Sequence, residues 1–124
     1  MKHKEIKKVI LDEKFSKVDD HWSPKIVGEL NGQLVKIAKF KGEFVMHHHE
    51  HEDELFYVVA GELFIELEQE VLQITSGEFV IIPKGVLHKP YAPEEVHVML
   101  FEPSTTLNTG DINNDLTVTN LDSI

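Results

Sequence analysis

His47, His49 and Glu54 lie in the pattern H-x-H-x4-E, and His88 closes the later run Gly77-x5-Pro83-x-Gly85-x2-His88. Three imidazoles and one carboxylate form a common ligand set for one borderline divalent ion such as Mn, Fe, Ni or Zn. Each of these residues stands near a turn-forming Gly or Pro or at the edge of a polar run. Four protein ligands leave positions open on a six-coordinate ion, so water or a bidentate substrate can bind there. The chemistry expected of such a site is Lewis-acid isomerisation of a small oxygenated metabolite or, with iron, reaction with dioxygen. A hydroxy-ketone, hydroxy acid or diketone would chelate most naturally.

These side chains converge only if particular elements hold them. In a strand, residues two apart share a face, so His47 and His49 project together while His48 points away. Glu54 is five residues beyond His49, an odd interval that places it on the opposite face of an unbroken strand. It joins the site if the polar stretch Glu50-His51-Glu52-Asp53 turns the chain. His51 has the parity of His49, so a straight strand would offer His47, His49 and His51 as a competing triad and leave Glu54 unused. The turn reading is preferred because the stretch between is acidic and fully polar. Pro83-Lys84-Gly85 supplies a second turn, with the fixed φ of Pro and the freedom of Gly, to aim His88 inward.

The surrounding sequence reads as many short strands. Ile26 to Leu30 and Gln33 to Phe40 flank Asn31-Gly32, a strong hairpin signal. Further strands are expected over Phe44 to His51, Leu55 to Val59, Glu62 to Glu68, Val71 to Ile74, Phe79 to Ile82 and His97 to Phe101. Turn signals stand at Lys41-Gly42, Gly61, Ser76-Gly77, Pro83 to Gly85 and Pro90 to Pro93. With no helical pattern of ten residues or more, a β-sandwich or barrel is implied. Residues 1–21 form a lead-in with a short strand or helical turn, 22–102 the β domain, and 103–124 a polar tail that lies over the domain or is partly disordered.

Composition narrows the function classes. The chain has 124 residues and no cysteine, so disulfides are excluded and any metal ligands must be His, Asp or Glu. Asp and Glu number 22 against 12 Lys and Arg, a formal charge of −10 that would repel a nucleic-acid backbone. No apolar run approaches the ~18 residues of a membrane span, and Met1 to Lys8 has no apolar signal-peptide core. The expected compartment is the cytoplasm, without membrane or nucleic-acid partners.

The two motifs carry a family resemblance. Gly42-Glu-Phe-Val-Met-His47-His-His49-Glu-His-Glu-Asp-Glu54-Leu-Phe-Tyr-Val-Val-Ala-Gly61 resembles the first cupin motif, and Gly77-Glu-Phe-Val-Ile-Ile-Pro83-Lys-Gly85-Val-Leu-His88 the second. Fifteen residues separate Gly61 from Gly77, like the spacer of compact microbial cupins. His21-Trp22-Ser-Pro24, Lys89-Pro90 and Asn108-Thr109-Gly110-Asp111 also look like features of small single-domain members. There are two departures: four residues rather than the usual five separate Gly42 from His47, and Ala92 stands where the second motif commonly ends in Asn. The resemblance implies an all-β jelly-roll barrel with ligation by His47, His49, His88 and Glu54, commonly as a homodimer. Many such proteins carry a tentative sugar-isomerase label.

Parity adds further site candidates. Phe56 and Val58 share the face of Glu54, whereas Tyr57 belongs outside or in a dimer interface. If the face of His97, Met99 and Phe101 is interior, His97 is the best non-ligand acid or base in the chain. Lys84 and Lys89 should face solvent. Three readings of function follow. One is a metal-dependent enzyme acting on a small oxygenated metabolite, isomerase-like or dioxygenase-like. The second is a non-catalytic module that uses the ion to hold or sense a small molecule. The third is a barrel in which the ion is mainly structural, a reading weakened because a structural site normally closes its coordination whereas this ligand set leaves an opening.

Overall fold

Asn31 and Gly32 both take positive φ, 51° and 77°, and make the tight turn that joins β1 (Lys25–Leu30) to β2 (Gln33–Glu43). A computed structural model describes residues 5–124 of the chain, so the first four residues of the lead-in lie outside it. The remaining strands are β3 (Glu54–Ala60), β4 (Glu62–Glu66), β5 (Val71–Thr75), β6 (Phe79–Ile82) and β7 (Lys89–Pro103). All pairings between them are antiparallel, in the order β1-β2-β7-β3-β6, with β4 on β7 and β5 on β4.

The long strand β7 is the spine. It lies along β2 from Glu43↔Tyr91 to Gln33↔Pro103. Its first residues pair with β4 (Phe64↔Tyr91) and its last with β3 (Leu55↔Phe101), so one strand feeds both layers of a jelly-roll barrel. Inward residues at every second position, Ala38 and Phe40, Phe56 and Val58, Val96, Val98 and Leu100, fill the interior with Leu63, Ile65, Ile74 and Ile82.

Two strand readings need correction. Pro90 to Pro93 is not a turn; the chain stays extended, and its irregularity is absorbed as a bulge where Phe40↔Val96 gives way to Gly42↔Ala92. Proline tolerates that position because a bulge leaves ladder donors unused. Phe44 to His51 is not a ladder strand either. The chain leaves β2 at Glu43 and keeps one isolated bridge, His47↔His88, with N–H···O bonds of 3.0 and 2.9 Å in the two directions. Its other amides bond singly, Phe44 to Pro90 O and His48 to Asp111 Oδ1. Alternation of side chains survives without a paired strand.

The lead-in holds a short helix, α1 (Leu11–Phe15), whose Phe15 packs with Val18 and Ile37 on the outside of the barrel. The tail lies over the domain. It ends beside β1, where Ile26 N–H donates to Asp122 O and Ile124 N–H to Ile26 O. No helix among the described residues is long and apolar enough to cross a membrane.

Candidate metal centre

The turn expected over Glu50 to Asp53 exists, and it brings the two motifs together. Asp53 Oδ1 accepts the Lys84 N–H at 2.8 Å, and His49 O accepts the Gly85 N–H at 2.8 Å. The loop before β3 is thereby laced to the loop before β7. Glu54 opens β3 and His88 immediately precedes β7, so both point into the barrel from element ends. One ligand atom from each of His47, His49, Glu54 and His88 lies within 4.8 Å of the other three, and all four residues are buried.

The hydrogen bonds around the rings fix which nitrogens face the centre. His47 Nδ1 lies 2.8 Å from Val45 O and His88 Nδ1 2.9 Å from Val86 O. A carbonyl only accepts, so each Nδ1 carries a proton and each Nε2 is left to face the centre. His88 Nε2 and His49 Nε2 stand 3.3 and 3.2 Å from Glu54 Oε1. His49 has no hydrogen-bond partner at either ring nitrogen although the ring is buried. An unpaired buried imidazole costs stability, and a divalent ion among these four groups would supply the missing partner. The donor set fits one such ion.

Electrostatics point the same way. Burial, followed by the neighbouring His88, pushes the His47 imidazole from 6.5 down to about 4, keeping it neutral and able to ligate. Burial works to raise the Glu54 carboxyl, but the close approach of the His49 and His88 rings to Oε1 brings it well below its ordinary range. Glu54 is therefore held as an anion.

The other histidines lie elsewhere. His48 is half exposed and faces Asp111, and the His51 side chain is 79% exposed, so the alternative triad is not assembled. His97 also falls outside the site, because the inward face of β7 belongs to Val96, Val98 and Leu100. It stacks on Phe15 at 4.5 Å, beneath the lead-in, with Glu95 beside it at 3.4 Å. Which parity faced inward depended on packing that its strand alone does not encode. Tyr57 also lies on the outer face, opposite Phe56 and Val58, and is half-buried. Lys84 is exposed, whereas Lys89 is half-buried and reaches Glu43 at 2.8 Å.

The interior holds a second polar pair that sequence patterning passes over. Lys36 Nζ donates to Glu102 Oε1 at 2.8 Å, and both side chains are 2% exposed. Glu102 lies against Glu54; burial, reinforced by the Glu54 charge, pushes its carboxyl well above the ordinary range while Lys36 opposes. Lys36 shares a face with Leu34 and Ala38, and Glu102 with Leu100.

A sequence model of the cupin domain family matches residues 33–111. This chain is a cupin. Among solved structures, it is similar to a cupin-2 domain protein from Shewanella frigidimarina, with 42% identity and a TM-score of 0.76 over 77% of this chain and 93% of that one. KdgF from Halomonas is similar at 30% identity and a TM-score of 0.56, over 64% and 78% of the two chains. Among curated proteins, the uncharacterized protein YdbB of Bacillus subtilis is 39% identical over 64 residues, 51% of this chain and 57% of that protein. The chain thus matches little more than half of that relative's length.

In this cupin the centre opens on a cavity lined by Trp22, Phe40, Phe44, Phe56 and Leu100, with Glu102 and Asn108 at its polar side. Trp22 is sandwiched between Phe40 and Phe44 at 4.2 and 4.7 Å, and its Nε1–H donates to Lys41 O. The space left free is about 20 Å³, on the order of one water position.

Proposed function

We propose that this cupin holds one divalent ion, Mn, Fe, Ni or Zn, through His47, His49, Glu54 and His88. We further propose that it uses the ion to act on a small oxygenated metabolite, as an isomerase or a dioxygenase. The observation that carries the reading is the ligand cluster itself: four buried donors, one of them unpaired at both ring nitrogens, beside an aromatic cavity. A bound ion with open positions supplies Lewis-acid or redox chemistry. The chain supplies the His47 and His88 rings oriented through Nδ1, an anionic Glu54, and an apolar wall of Trp22, Phe40, Phe44 and Phe56.

Metal analysis of protein purified without a nickel column tests the first half. About one equivalent is expected; less than a tenth, with no change in Tm on adding Mn, Fe, Ni or Zn, would sink it. Oxygen consumption over a diketone and phenol panel, beside an aldose–ketose screen, then separates the two reactions. The narrowness of the cavity favours a second reading, a module that binds or senses a small molecule without turnover. Silence in both screens with ligand-dependent changes in Tm would select it.

The same proposal includes a cytoplasmic homodimer. Its support is the cysteine-free sequence and the outer face of β6, where Phe79 and Ile81 stand 60% and 53% exposed. A monomer mass by light scattering at micromolar concentration would remove the dimer.

A further inference from the structure

Residues 105–118 of the tail contain no helix or strand, yet they are closely bonded to one another. Asn108 ties the segment across its middle: Nδ2 donates to Leu116 O at 2.8 Å, and Oδ1 accepts the Val118 N–H at 2.9 Å. Thr109 is fully buried; its Oγ1 donates to Ile112 O at 2.6 Å and lies 2.7 Å from the Thr117 hydroxyl. Asn114 Oδ1 accepts the Leu116 N–H at 2.9 Å. Bonds to the barrel are fewer. Beyond the turn that leaves β7 at Pro103, hydrogen bonds among the described residues cross the seam at two places. Asp111 bonds the His48 backbone, and Thr105 Oγ1 donates to Glu52 Oε2 at 2.9 Å. Leu116 is the one side chain of the segment, among the described residues, that packs on the interior apolar cluster.

This segment roofs the candidate centre. On its inner side Asn108 borders the narrow cavity that also touches His47 and Glu54. On its outer side Leu107, Gly110 and Asp111 form one wall of a hollow of about 210 Å³, with His49 and Glu50 to Glu52 on the other. A further hollow of about 220 Å³ is lined by the two ends of the segment together with Leu34 and Lys36. The four ligand residues are each 4% exposed or less, so with the roof down neither an ion nor a substrate reaches them. A segment bonded within itself, seamed at two points and undercut by hollows opens more readily than the ladders beneath it. We propose that residues 105–118 are a lid. It lifts as one body about Ser104 and Thr119, with the Asp111–His48 pair as its latch, and joins the inner cavity to the outer hollow. Ser104 stays tied to Gly32 O at 3.1 Å and Asp122 O to the Ile26 N–H at 2.8 Å, so both ends remain anchored. The consequence for exchange rests on the metal-binding reading above: the ion, and then a substrate, enter and leave at the pace of lid opening.

Amide hydrogen exchange in the metal-free full chain tests the lid without an ion. The His48 and Asp111 N–H groups bond across the seam, whereas those of His47 and His88 bond to each other's carbonyls beside it. Lifting exposes the first pair alone, which should exchange about tenfold faster than the second, while the Val118 amide inside the lid stays protected. Equal protection of the two pairs overturns the inference. So does loss of Val118 protection together with Asp111, because the segment then melts instead of lifting. Zinc exchange reads the consequence, with uptake measured by mixing and release by challenge with excess chelator. Leu116→Ala changes neither a ligand nor a residue bonded to one, and it should raise both rates about fivefold with affinity unchanged. Should that variant fail to fold, Asp111→Ala carries the same test. Release that quickens only because zinc binds more weakly, or rates that stay at the wild-type value, overturn the lid. A chain that takes up no zinc overturns the metal reading and leaves the amide pattern to decide the lid.

Discussion

His48 and Asp111 hold each other by reciprocal hydrogen bonds: Asp111 Oδ1 accepts the His48 N–H at 2.9 Å, and the Asp111 N–H donates to His48 O at 3.0 Å. The tail is thus fastened to the backbone between two ligand residues. Gly110 makes the approach possible, because at φ 57° its missing side chain leaves room for the His48 carbonyl, with His47 Cδ2 only 2.9 Å from where a Cβ would stand. Gly110→Ala should destabilise the chain by about 2 kcal/mol or more, through strain and collision together. It should also weaken metal binding, because His47 and His48 must move. Thermal melting with and without added Zn measures both effects; a Tm within a degree of wild type would show that the tail is not fastened there.

Removing the Asp111 carboxylate is a milder cut. Asp111→Ala loses a partly exposed bond to a backbone donor, worth about 1 kcal/mol. The His48 N–H holds the Asp111 carboxyl below its ordinary range, so its contribution is present above pH 3.8 and is lost as pH falls through the lower folded value. Wild type and Asp111→Ala should therefore differ in Tm at pH 7 and converge in strong acid.

Ligand substitutions should split cleanly. His49→Ala and Glu54→Gln are expected to lose bound metal, whereas His51→Ala, with its exposed ring, should retain about one equivalent. Elemental analysis after dialysis reads this directly. Equal losses from His49→Ala and His51→Ala would point to a different ligand set.

The buried Lys36–Glu102 pair predicts strong non-additivity. Lys36→Met alone leaves a carboxyl buried without its cation and should cost about 3 kcal/mol, while Lys36→Met/Glu102→Leu should cost about 1 kcal/mol or less. Urea unfolding of the two variants decides between a coupled pair and two independent residues.

Acidification of the metal-free protein gives a further check. His47 has a folded pKa of about 4 against an ordinary 6.5, so the unfolded chain binds the extra proton and stability falls as pH drops through that window. The shift corresponds to about 3 kcal/mol. Glu102, with its raised carboxyl, acts in the opposite sense over part of the same range. The comparison is therefore with His47→Asn, which should lose about 3 kcal/mol less than wild type between pH 6.5 and pH 4. Parallel curves for the two proteins would contradict a depressed His47.

What sequence could and could not reveal follows from how each residue is constrained. His47, His49, Glu54 and His88 stood out because side-chain type and neighbouring turn signals agree, and the turn at Glu50 to Asp53 was forced by an odd interval. Family resemblance then supplied the barrel, which the sheet order matches. Lys36 was hidden because both faces of β2 are covered: Ile37 packs under the lead-in while Ala38 faces the lumen, so alternation no longer separates inside from outside. The same double covering misdirected His97, whose face of β7 is buried against Phe15 rather than against the cavity. The prolines of β7 were legible as breaks but not as a bulge, since a bulge exists only relative to the partner strand.

The length of β7 also bears on how the molecule comes to exist at all. Its register with β2 joins Gln33 to Pro103 and Lys36 to Leu100, pairings between residues more than sixty positions apart. Such contacts require large loops to close before any ladder rewards them, so folding should be slow for a chain of this size, on the order of milliseconds to seconds. His88 and Glu102 flank or occupy that last strand, and neither can meet Glu54 until it docks. The centre is therefore a late event in folding, and an ion that binds there acts on the unfolding rate far more than on the folding rate.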